Sequence, residues 1–142
     1  MPAPLKITLS NCLDALPVCI ESVEAYLQSQ GANKDDINRT ELIIEELVTN
    51  TIKYGYKDSR THEISIKLSL TPKNICLQII DDADPFDPTT TRPQQINIDS
   101  NLEKREIGGI GLLLVKKLAT SFGYERVGRM NKQTITLKRN RA

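Results

Sequence analysis

Apolar residues recur along the chain with two different periods, and the switches between those periods divide it into elements. In "LKITLS", Leu5 to Ser10, apolar side chains fall at every second position, the spacing of a short strand with one buried face. Asn11 follows as a candidate helix cap. From about Leu13 to Gln30 the spacing lengthens, with Leu16, Ile20, Val23 and Leu27 three or four residues apart, which predicts a helix closed by Gly31. A second helix is predicted from Asn33, a capping side chain followed by Asp35 and Asp36 in the first turn. Its buried face runs through Ile37, Ile44, Leu47, Val48 and Thr51 as far as Gly55.

Alternation returns in "HEISIKLSL", His62 to Leu70, and in "ICLQII", Ile75 to Ile80. Thr71 to Asn74 supplies the turn between them, so the pair reads as an antiparallel hairpin. Asp81 to about Glu106 has no sustained period and exceeds the usual length of a connection. "GIGLLLVKKLATSF" then places Leu112, Leu113, Val115, Leu118 and Phe122 on a helical period, a third helix. Tyr124 to Arg129 and Lys132 to Arg139 alternate around an expected turn at Met130 and Asn131, forming a closing hairpin. This order describes an α+β two-layer sandwich, a mixed and mainly antiparallel sheet covered on one face by about three helices.

Composition narrows the function classes. The 142 residues suit one domain spanning 1–142, and 19 Lys and Arg against 18 Asp and Glu give a net charge of +1. That balance offers no electrostatic argument for direct nucleic-acid or membrane partners. No apolar run approaches the roughly 20 residues that span a bilayer, and Met1 to Ser10 lacks a signal-peptide core, so a soluble cytoplasmic protein is expected. Cys12, Cys19 and Cys76 are odd in number and lack CxxC spacing; they read as small buried apolar residues. With His62 the single histidine, a histidine-centred triad or multi-histidine metal site has little to draw on.

One polar pair stands out in "EELVTNTIKYGY". On a wheel of about 100° per residue, Ile37, Ile44, Val48 and Thr51 centre the buried arc, Asn50 lies at its margin near Ile43 and Tyr54, and Glu46 sits beyond. A solvated face with neighbours at i, i+4 accounts for this pair on helix evidence alone. Two later segments change the reading. "LQIIDDADPFDP" puts Asp81 at the tip of an apolar strand, where a carboxylate can accept hydrogen bonds from an exocyclic amine such as that of adenine. "EIGGIGLLLVKKL" puts Gly108, Gly109 and Gly111 before a helix, where backbone N–H groups and the positive helix end can close on phosphate oxygens.

Better-known patterns fail on inspection. A Walker-type loop needs Lys and a hydroxyl after its last glycine, yet Leu112 and Leu113 follow Gly111. A dinucleotide fingerprint needs a preceding strand and a final glycine where Leu114 stands. An EF-hand through Asp82, Asp84 and Asp87 lacks its central glycine and its distal Glu.

Taken together and in order, E-x-x-x-N on a helix, Asp after a strand and G-G-x-G before a helix resemble the GHKL ATPase superfamily, over roughly Leu5 to Arg139. "EELVTNTIKYGY", "DDADPFDP" and "GGIGLLLVKKL" look most like the small bacterial anti-sigma-factor serine kinases, which pair an N box ending in G-Y with a D-x-G-x-x-F-D-P loop. The resemblance implies the Bergerat ATP-binding fold, ATP and Mg²⁺ as cofactors, and Asn50 as the metal-binding amide. It makes Glu46 the general base toward a partner's serine, with Glu45, five residues from Asn50, set aside. Asp81 would read adenine, Gly109 and Gly111 would lie beside the phosphates, and Ala83, Phe86, Gly108 and Leu112 would also belong to the cofactor-binding set. Arg105 would reach a phosphate from a lid formed by the long loop. The implied partners are a sigma factor and a small STAS-type antagonist, and the resemblance extends to homodimerisation.

Ala83 departs from the pattern, standing where the family carries glycine. A positive φ there would cost on the order of 1 kcal/mol and bring a methyl group against adenine. Asp82 and Asp84 also add negative charge near a polyanionic ligand. Two alternatives are a nucleotide-binding regulatory module with weak transfer activity and a histidine autokinase fragment. The latter is disfavoured because His62 falls on a predicted strand and no helical phosphoacceptor segment precedes it.

Overall fold

The computed structural model describes residues 3–90 and 109–140. Five strands, β1 (Leu5–Ser10), β2 (Glu63–Leu70), β3 (Asn74–Asp81), β4 (Ser121–Val127) and β5 (Met130–Lys138), form one sheet in the order β1-β2-β3-β5-β4. Every described pairing is antiparallel, so the sheet is not mixed. Three α-helices, α1 (Leu16–Ser29), α2 (Lys34–Tyr54) and α3 (Gly109–Leu118), lie among the described residues. None of the described helices is long and apolar enough to cross a membrane.

Period two along the strands produces the layers. In β2, Ile64, Ile66, Leu68 and Leu70 are buried, as are Ile75, Leu77 and Ile79 in β3 and Ile135 and Leu137 in β5. These residues share a core with Val23 and Leu27 of α1, Ile43, Ile44, Leu47 and Val48 of α2, and Leu112 and Val115 of α3. Each such side chain removed from water contributes roughly 1.5–3 kcal/mol before entropy is subtracted. Ile43, expected at the margin of the buried arc, is fully buried because α1 and α3 flank α2 and widen its apolar contact.

The helix ends follow local chemistry. Asn33 Oδ1 accepts the Asp36 N–H at 2.8 Å, and Gly31 adopts φ +78° after α1, both as the sequence predicts. Asn11 does not cap a helix. Its Oδ1 accepts the His62 N–H at 2.9 Å, fastening the end of β1 to the start of β2. Cys12 instead precedes a 3-10 turn, Leu13–Ala15, and it is exposed, unlike the buried Cys19. α3 stops at Leu118, so Phe122 belongs to β4 while still packing on the core. The closing turn lies at Gly128 and Arg129, where Gly128 takes φ +59°, a conformation that glycine adopts without steric cost. Met130 and Asn131 are therefore the first residues of β5, which changes the site described below.

Asn33→Ala removes both the cap and the side-chain donor to the Asn140 carbonyl. It is expected to lower stability by about 1 kcal/mol in urea unfolding at unchanged slope. No loss would mean that α2 starts without help from this side chain.

Candidate functional site

At the C-terminal half of α2 the sheet and helices leave a cavity of about 460 Å³. α2 contributes Leu47, Asn50 and Thr51, the tip of β3 contributes Asp81, the loop after it contributes Ala83, Asp84 and Phe86, and α3 contributes Leu112. Five residues singled out from sequence thus meet in one space: Asn50, Asp81, Ala83, Phe86 and Leu112. Phe86 is half-exposed and stands at the opening. Glu46 and Gly111 do not line the cavity but adjoin each other beside it. A Cβ added to Gly111 would lie 2.1 Å from Glu46 Oε2, so a side chain there would displace that carboxylate from its present position. Gly109 opens α3, and Arg105 and Gly108 lie outside the described residues.

Asp81 is almost wholly buried, with 1% of its surface exposed. Its Oδ1 accepts N–H groups from Asn131 Nδ2 at 2.9 Å and from the Ala83 backbone at 3.0 Å. Burial pushes its pKa above the ordinary carboxylate value, outweighing those two hydrogen bonds, which favour the charged form. Neither bond uses Oδ2.

Asn131 was not anticipated as part of the site, because the sequence reading put it in a turn. It lies directly opposite Asp81 across β3 and β5. Its Nδ2 also donates to the Ala83 and Asp84 carbonyls at 3.0 and 3.1 Å, and its Oδ1 accepts from Tyr124 and Arg126. Arg126 Nη1 reaches the same Ala83 carbonyl at 2.9 Å. These bonds fix the loop that carries Ala83 to the strand that carries Asp81.

Ala83 has no positive φ, so the backbone cost expected of it does not arise. Its methyl is buried against Gly55 instead, and a Cβ at Gly55 would meet it at 2.8 Å. The Asp84 N–H donates to the Gly55 carbonyl at 2.9 Å, which holds the loop to the end of α2. A glycine one element away thus makes room for the alanine.

Asp82 is also not simply a repulsive charge. His62 Nδ1 lies 3.1 Å from Asp82, and Nε2 lies 2.8 Å from Asp58 Oδ1. The imidazole ring stacks on Tyr56, centroids 4.3 Å apart. The hydrogen bond to Asp58, then that to Asp82, raises the His62 pKa, and the same contact with His62 lowers that of Asp58. Burial, and then the charges of Asp81 and Asp82, push the Tyr56 hydroxyl upward.

A magnesium ion carried by a nucleotide fits the donors available. Asn50 lines the cavity, and its Nδ2 is buried without a hydrogen-bond partner among the described residues. One amide suits an ion that takes its remaining ligands from water and phosphate oxygens. Lys53 and Lys57, also unanticipated, line the cavity with positive charge.

Because His62 is the only imidazole, its titration can be followed by NMR without ambiguity. Its midpoint is expected above the ordinary histidine value of about 6.5 and should fall in Asp58→Asn. A raised folded pKa makes this contribution to stability complete below the unfolded value, and the contribution disappears as pH rises through the folded one. A midpoint at or below the ordinary value would contradict the arrangement.

Residues 9–138 match the model of the histidine kinase-like ATPase domain. Serine-protein kinase RsbW of Staphylococcus aureus (strain JH9) is 33% identical over 91 residues, which cover 62% of this chain and 57% of that protein. The RsbW proteins of other Staphylococcus aureus strains, such as Newman, match equally. The chain therefore aligns with little more than half the length of these relatives. Among solved structures, that of the RsbU and RsbW domains of Rv1364c from Mycobacterium tuberculosis superposes with a TM-score of 0.69 at 20% identity, covering 98% of this chain and 34% of that one. The Erythrobacter litoralis EL346 blue-light activated histidine kinase gives 0.54 at 14% identity, covering 86% and 41%. At these identities the likeness concerns the fold, which both share with this α+β sheet-and-helix arrangement. With the family model matching from β1 to the end of β5, the chain belongs to the histidine kinase-like ATPase domain family.

Proposed function

We propose that the protein is an ATP-dependent serine kinase of the anti-sigma-factor type, which phosphorylates a serine of a small STAS-type antagonist and sequesters a sigma factor. The observation that supports this reading most is the convergence of Asn50, Asp81 and Leu112, from three separate segments, on one cavity of about 460 Å³. That volume is within the range of small-molecule sites.

In this reading Asp81 Oδ2 accepts a hydrogen bond from the exocyclic amine of adenine, while Asn131 and the Ala83 N–H hold Oδ1. The Asn50 amide oxygen would hold Mg²⁺, which when bound neutralises phosphate charge and aligns the triphosphate. Lys53 and Lys57 add positive charge at the cavity wall. The N–H groups of Gly109 and Gly111 at the start of α3 would serve the phosphates, the roles expected of Arg105 and Gly108 falling on residues outside the described ones. Glu46, one turn before Asn50, takes the proton of the partner's serine hydroxyl. As it does so, the serine oxygen bonds to the γ-phosphorus and the bond to the β,γ-bridging oxygen breaks. Gly111 keeps the space into which the Glu46 carboxylate extends.

Incubating the protein with ATP, Mg²⁺ and its antagonist should yield phosphoserine on the antagonist. Glu46→Ala is expected to slow transfer by about 10²–10⁴-fold while ATP still binds, the size of a general-base contribution. Asn50→Ala is expected to remove the Mg²⁺-dependent part of ATP affinity in calorimetry and leave the fold intact. ATP binding without any transfer by the unaltered protein would instead mark a regulatory nucleotide-binding module.

A further inference from the structure

Gln133 is the second polar side chain that β5 turns toward the helices, and nothing described so far employs it. It is 95% buried, at 5% exposure, and lines the same cavity as Asp81. Its Oε1 is buried without a hydrogen-bond partner. No described residue bonds to its Nε2 either. Asn131, two residues earlier on the same face, is engaged at both amide atoms by five partners. The sheet thus satisfies one buried amide fully and leaves its neighbour unpaired among the described residues.

The register indicates what chemistry would meet it. Gln133 pairs with Ile79, and Asn131 pairs with Asp81, so Gln133 is the diagonal neighbour of Asp81 on the cavity-facing side of the sheet. Such neighbours lie about 7–8 Å apart, a distance that a single planar group between them can bridge. The carboxylate of Asp81 and the unpaired Oε1 of Gln133 are both acceptors. An exocyclic amine carries two N–H donors in one plane and meets both. A carbonyl at the same position would find no donor from the Asp81 carboxylate.

We propose that Gln133 is a base-selecting residue whose side-chain carbonyl accepts the second N–H of a 6-aminopurine, the first being taken by Asp81. This rests on the nucleotide reading of the cavity and adds a specificity determinant on β5 to the carboxylate on β3. Gln133 would contribute to choice between bases and leave the triphosphate end of the site untouched.

The test compares binding of ATP with binding of 6-deamino-ATP, the purine riboside triphosphate that lacks only the amine, by calorimetry with Mg²⁺ present. The unaltered protein should prefer ATP by more than about tenfold, because both acceptors lose their donor in the analogue. Gln133→Met, which keeps length but has no polar atom, should narrow that preference about five- to tenfold. Gln133→Glu keeps an acceptor and should retain the preference even if its charge weakens both ligands alike. Circular dichroism melting establishes that each variant is folded. A preference unchanged in Gln133→Met, with ATP still bound, overturns the assignment of Gln133 alone. A preference below about tenfold in the unaltered protein overturns it without recourse to a variant. Failure of the unaltered protein to bind either triphosphate overturns the nucleotide reading, and this proposal with it.

Discussion

The site depends on one constraint: α2 must serve as core and as cavity wall along the same length. Flanked by α1 and α3, it buries Ile43, Ile44, Leu47 and Val48 on the sheet, and that burial fixes its rotation. Once the rotation is fixed, Glu46 and Asn50 have no freedom to move to an open surface. They stand where helices and sheet part, and their positions follow from apolar packing more than from any polar contact of their own. Gly111 adjoins the pair from the opposing helix, and a side chain there would push the Glu46 carboxylate out of its present position.

A second constraint acts across the sheet. Asp81 and Asn131 face each other only in the observed register of β3 and β5, and a slip of one residue would turn one of them to the other face. Register and site are therefore specified together by the hydrophobic pattern of the two strands. Hydrogen bonds from Asn131 and the Ala83 N–H, with the nearby charge of Arg126, compensate part of the cost of burying the Asp81 carboxylate. The unpaired atoms of Asn50 and Gln133 each carry a desolvation cost of about 1–3 kcal/mol, a sizeable part of the roughly 5–15 kcal/mol by which small domains are stable. Locally unfavourable choices of this kind are characteristic of sites whose missing partner is a ligand.

Much of the fold could be read from periodicity because its elements are long and one-sided. α2 was legible from its cap at Asn33 through to Gly55, and the hairpin of β2 and β3 from clean alternation. The closing hairpin was misplaced by two residues. Alternation through Tyr124 and Lys132 fits two turn positions, and only the positive φ of Gly128 distinguishes them. That small shift hid Asn131 and Gln133, which alternation assigns to strand or turn without indicating that they face a cavity. The Gly55 and Ala83 exchange was equally hidden, since the two residues are 28 apart and only the fold brings them into contact. His62 illustrates the same limit: its neighbours Asp58 and Asp82 look like isolated loop acids until the strands place them on either side of the ring.

The central claim is that a purine triphosphate with Mg²⁺ occupies the space between α2, the tip of β3 and the start of β5. Amide and side-chain NMR shifts recorded during titration with Mg²⁺ and a non-hydrolysable ATP analogue test it most directly. The account predicts the largest changes at Asn50, Asp81, Ala83 and Gln133, with Lys6, Ser65 and Gln78 on the opposite face of the sheet unmoved. Changes centred on that opposite face, or none at millimolar nucleotide, would contradict it.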